Sequence, residues 1–276
     1  MSRGQGKRSS STRHAPPGRP AVFRCWGQPC RRGRRDPRQL PEIDAGGAFK
    51  ALAQHLGAAV LVENRRQVEG WERAALGLVR AGKAAEAVAV YGEHGRIHLA
   101  PTAEAARAAM VADWWAARSA HPDEPAVMLA GRRSDIDRLN ALARAVRKDA
   151  GQLTGVEVDV AGRCFAVGDD ILALANDRRL GIINGDRGQV TAINADTKSV
   201  TVTVGERTVE LPAEYLAAGR LGYGYAMTLY KAQGMTTGRT YTLGSDSLSG
   251  EEGYVALSRG RVAKHPLRRR RHPTHP

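Results

Sequence analysis

Four short segments carry side chains able to act on a phosphate or on a nucleic-acid strand. They are Asp36-Pro37-Arg38-Gln39-Leu40-Pro41, Asn64-Arg65-Arg66-Gln67, Thr228-Leu229-Tyr230-Lys231-Ala232-Gln233-Gly234 and Tyr254-Val255-Ala256-Leu257-Ser258-Arg259. A guanidinium is always charged and can grip a phosphate through two parallel bonds, which makes Arg66 and Arg259 candidate phosphate cations. The Gln39 amide can both donate and accept a hydrogen bond. Thr228 and Lys231 suit contacts to a phosphate backbone. The Tyr230 ring could stack on a base, and Gln233 with Gly234 suits a tight turn close to a ligand. Each residue alone has a plainer reading: a polar loop residue for Gln39, a solvated pair for Arg65 and Arg66, a helix-end cation favoured by the dipole for Arg259.

These residues would act on a phosphate held by something else. The phosphate-cradling pattern G-x-x-x-x-G-K-[ST] is absent. Gly6-Lys7 is followed by Arg8 rather than a hydroxyl residue, with no strand before it or helix after it. Residues 1–35 contain no Asp or Glu, so no Asp-Glu pair precedes Asp36.

The surrounding patterns predict elements that could position the four segments. Phe49, Leu52 and Leu56 recur at helical spacing over 46–56, and 58–62 is a short apolar run that reads as a buried strand. Helical stretches follow at about 68–90 and 102–119, the second carrying Met110, Trp114 and Trp115, two tryptophans better suited to a core or interface than to stacking on bases. Residues 126–130 read as a strand, and Ser134 with Asp137 as a variant capping box opening a helix to about Lys148. Strands alternating with helices predict a parallel α/β sheet. Between about 155 and 216 the texture becomes short β-type runs separated by turn residues such as Asn184-Gly185 and Gly205-Glu206, which predicts a small antiparallel barrel inserted in the α/β domain. Arg178, Arg179 and Arg187 lie near its turns and could meet phosphates or stay solvated. Parallel-sheet character returns at 223–229 and 240–243, and Ser249 with Glu252 forms a second capping box before the helix that carries Arg259.

Composition bounds the rest. The 276 residues are 42% hydrophobic, which allows a packed core over most of the length. Cys25, Cys30 and Cys164 make neither a disulfide framework nor a four-ligand metal site, so no metal is expected. No apolar run approaches the roughly 20 residues of a membrane span, and no apolar stretch follows the basic amino terminus. A cytoplasmic setting is therefore expected. The net charge of +14 is uneven: residues 1–35 hold ten Lys and Arg, residues 260–276 hold six, and neither end holds an acid. The middle keeps 26 basic residues against 28 acidic ones. Basic ends of this kind can neutralise nucleic-acid phosphates; Arg- and Pro-rich, acid-free sequence is also what a shifted reading frame of a GC-rich gene yields.

In their order along the chain the four segments resemble motifs III, IV, V and VI of superfamily-1 DNA helicases of the RecD-like branch, in particular the helicase part of conjugative relaxases of the TraA/TrwC type. The resemblance covers about 36–261. It implies a RecA-like, P-loop NTPase-type second lobe with an SH3-like β-barrel inserted in it, using ATP and Mg²⁺ and acting on single-stranded DNA. It also implies roles: Gln39, Arg66 and Arg259 as catalytic assistants, with Gly234 beside them at the nucleotide, and Thr228, Tyr230, Lys231 and Gln233 at the DNA. Two arginines acting from one lobe on phosphates held by the other would stabilise transition-state charge. Three positions depart from the family pattern: Arg35 replaces the Gly of motif III, Tyr230 the His of motif V, and Met235-Thr236-Thr237 stands where a carboxylate is often found.

The expected organisation is a basic disordered tail at 1–35, the first part of the lobe at 36–154, the barrel at 155–216, the rest of the lobe at 217–261 and a second disordered tail at 262–276. Because the ATP-binding motifs are missing, the expected product is a truncated lobe, inactive alone, whose ends are read in a shifted frame. Two alternatives stand beside it: a helicase subunit completed by a separate ATP-binding lobe, and a non-enzymatic DNA-binding accessory protein.

Overall fold

The computed structural model describes residues 24–25, 28–29, 66–245 and 248–269. Within the first 36 residues it describes one two-rung antiparallel ladder, β1 (Arg24–Cys25) with β2 (Gln28–Pro29). The two tails beyond these residues, the motif III segment with Gln39, the 46–56 helix and the 58–62 strand lie outside the described residues.

The larger unit is built on a five-stranded sheet in the order β12-β4-β13-β14-β3, every neighbouring pair parallel. Its strands are β3 (His98–Ala100), β4 (Ala126–Ala130), β12 (Ala226–Thr228), β13 (Thr237–Leu243) and β14 (Gly260–Arg269). Parallel strands need crossovers, usually helices that cover the faces. The described helices are α1 (Gly70–Arg80), α2 (Ala84–Glu93), α3 (Ala103–Ala120), α4 (Arg133–Asp149), α5 (Ala213–Ala217) and α6 (Gly250–Arg259). β4 shows why its five apolar residues form a strand buried on both sides. Side chains alternate across a strand, so Ala126, Met128 and Ala130 join the core with Trp114, Leu139 and Tyr225, while Val127 and Leu129 join the opposite core with Met227, Leu229 and Val255.

The antiparallel part is a second five-stranded sheet, in the order β10-β9-β8-β7-β11. It comprises β7 (Asp170–Ala173), β8 (Arg187–Asn194), β9 (Ser199–Val204), β10 (Arg207–Leu211) and β11 (Leu221–Tyr223). A hairpin of β5 (Thr154–Val160) and β6 (Arg163–Val167) shares its core, with Val158, Val160 and Phe165 packed among Ile171, Val200 and Leu216.

The structure corrects several boundaries. The helix expected over 68–90 is two helices, because the chain turns at 81–83 and Lys83 N bonds back to Leu78 O at 2.9 Å. α4 starts one residue before Ser134, with Arg132 at its N-cap and no side-chain cap bond, so the Ser134–Asp137 box does not form. The antiparallel sheet reaches past 216: β11 pairs with β7, and the return to parallel pairing occurs after Tyr223. The chain passes closely there, since a Cβ on Gly224 would lie 2.6 Å from Ile171 O. The largest correction is β14. Residues 262–269, expected in a tail, form an inner strand between β13 and β3. Ladder pairing uses backbone groups that every residue type except proline carries in full, so an acid-free composition does not argue against a strand. Pro266 opposite Thr242 forgoes one ladder donor.

Candidate functional site

α6 is anchored by its sequence at the start. Ser249 Oγ accepts from Glu252 N at 3.2 Å and Glu252 Oε2 accepts from Ser249 N at 2.9 Å, the reciprocal box expected from their spacing. Val255 and Ala256 bury against the sheet, and the Arg80 guanidinium donates to Tyr254 Oη at 2.7 Å. At its other end the helix leaves carbonyls without intrahelical partners. Residues far away in sequence fill that need. Arg66 Nη1 donates to Ser258 O at 2.9 Å, and Gln67 Nε2 donates to Ser258 O and Gly260 O, both at 3.2 Å. Val68 N donates to Arg261 O at 3.1 Å, which lays the segment along the start of β14. A cation at this end is also favoured by the helix dipole. Burial lowers the Arg66 pKa from its ordinary value, an effect opposed by Tyr254.

Arg259 is 1% exposed. Its Nε and Nη2 donate to Ser258 Oγ at 3.1 and 2.7 Å, and its Nη1 to Met235 O at 3.5 Å. Met235 directly follows the segment that begins at Thr228, so the second and fourth segments and the end of the third come together around Ser258 and Met235.

The 228–234 segment links two edges of the sheet. β12 ends level with Ala130, and β13 starts where Thr237 Oγ1 donates to Pro125 O at 2.7 Å, so the loop runs from the carboxyl edge of the parallel sheet back to its amino edge. Buried Leu229 and Ala232 anchor it. The turn is held by Lys231 N to Thr228 Oγ1 (3.3 Å), Ala232 N to Thr228 O (3.1 Å) and Met235 N to Ala232 O (3.1 Å). Gly234 has φ +85°, the left-handed region that glycine adopts without strain. At the carboxyl edge Tyr230 is 41% exposed. Beside it Lys231 Nζ donates to Asn184 Oδ1 of the antiparallel insertion at 3.1 Å. Burial and the nearby Arg133 charge lower the Lys231 pKa.

Of the insertion's arginines, Arg178 and Arg179 are exposed. Arg187 instead braces the fold, donating to Gly224 O at 3.2 Å and to Met235 Sδ at 3.8 Å. Trp114 is fully buried, its Nε1 donating to Ala126 O at 3.3 Å.

Sequence reasoning missed the joint between the insertion and the helices. Asp170 takes both Arg118 Nη1 (2.6 Å) and Arg118 Nη2 (3.1 Å), and also Arg147 Nη1 (3.3 Å). Asp169, 0% exposed, takes Arg144 Nε on both oxygens at 3.1 Å, Ala166 N at 2.7 Å and the Tyr225 hydroxyl. No spacing rule links these residues; Gly168-Asp169-Asp170 reads as an ordinary turn.

Among the described residues no group of three or more His, Cys, Asp or Glu could hold a metal ion. Gly77-Leu78-Val79-Arg80-Ala81-Gly82-Lys83-Ala84 has the glycine and lysine spacing of a phosphate loop, but Ala84 lacks the hydroxyl, and Gly77–Arg80 is the end of α1 rather than a loop after a strand. No helix of the described residues is long and apolar enough to cross a membrane.

Comparison with known proteins gives a consistent result. A family model described as an AAA domain matches residues 35–102. A probable conjugal transfer protein TraA of Sinorhizobium fredii (strain NBRC 101917 / NGR234) is 36% identical over 234 residues, covering 82% of this chain and 21% of that protein. The conjugal transfer protein TraA of Rhizobium radiobacter is 35% identical over 230 residues, with the same coverage of 82% and 21%. The chain thus spans about a fifth of the length of these relatives. In fold it is similar to a crystal structure of the Pif1 helicase from Bacteroides in complex with ADP-AlF3 and ssDNA, with a TM-score of 0.50 at 17% identity over 83% of this chain and 60% of that one. The chain is thus similar over most of its length to part of the TraA conjugal transfer proteins, and its mixed α/β fold has a parallel sheet resembling a RecA-like helicase lobe.

Proposed function

We propose that these residues act as the second, C-terminal lobe of an ATP-dependent DNA helicase of the conjugative-relaxase type, and that alone they do not hydrolyse ATP. The observation that carries the reading is the bond from Arg66 to Ser258 O, across 192 positions, which sets Arg66 beside Arg259. Arg66 would act on a phosphate that another lobe holds, and Arg259, buried with its donors on Ser258 Oγ and Met235 O, would join it by exchanging those bonds. That lobe would supply the phosphate loop and the Mg²⁺ ligands. Gln39 would sense the terminal phosphate, and Gly234 would let the backbone approach the nucleotide.

Thr228, Tyr230, Lys231 and Gln233 would meet a single strand of DNA, and the antiparallel insertion would serve as the SH3-like barrel that guides it. Phosphate contacts make such binding salt-dependent. The test is the dissociation constant for a labelled oligothymidylate over a NaCl series. Expected is weak, sequence-independent binding that falls steeply with salt. Affinity that barely changes with salt would overturn the phosphate reading. A second reading, a DNA-binding accessory protein, is supported by the sixteen Lys and Arg in the two acid-free ends. If it holds, deleting residues 1–35 and 270–276, which leaves β14 in place, removes most of the binding and Lys231→Ala changes nothing.

A further inference from the structure

We propose that Asn184 is a positioning residue that presents Lys231 to the DNA, so that the insertion and the 228–234 loop form one composite phosphate contact. The inference rests on the reading of Lys231 as a DNA contact and adds a residue that the sequence marks only as part of a turn and that no family motif names.

Asn184 lies in the loop of residues 174–186 between β7 and β8, and that loop is fixed by its own bonds. Asp177 and Ile182 exchange both backbone hydrogen bonds, at 2.8 and 2.9 Å. Gly185 N donates to Ala173 O at 2.9 Å and Ala173 N to Asp186 O at 2.8 Å. Asn176 Oδ1 takes Asn184 N at 2.7 Å, and Asp186 Oδ2 takes Ile183 N at 2.9 Å. Ile182 is 3% exposed and anchors the loop in the insertion's core, whereas Ile183 is 62% exposed. The tip therefore stands at the surface on a rigid base, and Asn184 Oδ1 is an acceptor at a fixed place.

Lys231 needs such an acceptor. A lysine carries much rotamer freedom, which it loses on gripping a phosphate. The nearby Arg133 charge repels it. The 3.1 Å bond to Asn184 holds the ammonium against that repulsion and uses one of its three donors, leaving two for a phosphate. The neutral amide keeps the net charge of the pair at +1, where a carboxylate would cancel it. Arg133 then adds to the field that attracts the strand.

The test uses the full chain and an oligothymidylate, with dissociation constants measured over a NaCl series. Lys231→Ala is expected to weaken binding and to reduce the salt slope by about 0.7, the value for one single-strand phosphate contact. Asn184→Ala keeps the backbone N–H that Asn176 holds, so the loop stays folded and thermal melts match the parent. It is expected to weaken binding about three- to tenfold, the scale of restored lysine freedom, with the slope unchanged. Adding Asn184→Ala to Lys231→Ala should cost nothing more. Asn184→Asp, which holds Lys231 but neutralises it, should behave as Lys231→Ala does. If Lys231→Ala weakens binding while Asn184→Ala or Asn184→Asp binds as the parent does, or if the Ala effects simply add, the positioning role is overturned and the DNA reading survives. If Lys231→Ala matches the parent in affinity and slope, both fall.

Discussion

The insertion meets the parallel-sheet lobe at two places built in opposite ways. At one, Asp169 and Asp170 at the start of β7 are clasped by Arg118 of α3 and by Arg144 and Arg147 of α4, with the Tyr225 hydroxyl completing the set. The rings of Trp114, Tyr223 and Tyr225 lie under these guanidiniums at 5.5 to 5.6 Å. At the other, a hydrogen bond from Lys231 reaches an exposed asparagine. Charges taken out of water demand that every partner be present, because removing one leaves another buried and uncompensated. The first contact therefore sets the angle at which the insertion leaves the lobe. A bond between a lysine and a neutral amide at the surface costs little to exchange, so the second can pass its lysine to a ligand without disturbing the frame.

Substitutions should separate the two contacts, and the largest effect belongs to the joint. Asp169→Ala leaves Arg144 and Tyr225 short of an acceptor in a buried place. Denaturant unfolding should show a loss of about 3–5 kcal/mol, the usual cost of breaking a buried pair. A loss no greater than that of a surface substitution would remove the joint from the account. Tyr225→Phe deletes one bond to Asp169 and should cost about 1–3 kcal/mol. Burial, with the Asp169 charge and hydrogen bond behind it, also raises the Tyr225 pKa, so its hydroxyl stays a donor through the neutral range.

A smaller effect is expected at the rim. The Lys148 hydrogen bond, opposed by burial and helped by Arg144, holds the Glu157 carboxyl below the usual carboxylate range. A depressed folded pKa gives stability that is full above the unfolded value and is lost as pH falls through the folded one. Glu157 is exposed, so solvent screening limits the amount to about 0.5 kcal/mol or less. Glu157→Gln should lose that small increment at pH 7 and leave stability nearly unchanged at a pH below the folded pKa, so that part of the acid dependence disappears, as melts at two pH values would show. The smallest effect is Asn184→Ala, whose unfolding free energy should match the parent within about 0.5 kcal/mol. A larger loss would mean that the second contact is structural after all, and the comparison would collapse.

The same comparison explains how much was legible in the sequence. Local patterns survived folding where one residue's needs are met by near neighbours. The five apolar residues of β4, the Ser249–Glu252 box and the short β-type runs of the insertion all formed as their spacing suggests. Patterns failed where a distant partner decided the outcome. β14 draws its pairing from β13 and β3, and its Arg-rich composition hid it. Ser134 missed its cap because α4 begins one residue earlier. The candidate site was legible as types of residue and not as geometry. Arg66, Arg259 and Lys231 could be chosen from motif likeness, but that Arg66 and Arg259 share Ser258, or that Lys231 leans on Asn184, depends on contacts across tens to hundreds of positions. Arg187 shows the converse: a turn arginine open to a phosphate role by sequence, it braces Gly224 and Met235.

The central claim, that these residues assist a nucleotide held by another lobe, is tested most directly by ATP hydrolysis. The purified chain should show no turnover, with or without single-stranded DNA. Mixed with the ATP-binding lobe of a close relative, it should show turnover that Arg66→Ala and Arg259→Ala each reduce by a factor on the order of 10³ or more, the scale of an arginine supplied in trans, while melts show both variants folded. Hydrolysis by the chain alone, unchanged by Arg66→Ala, would contradict the account.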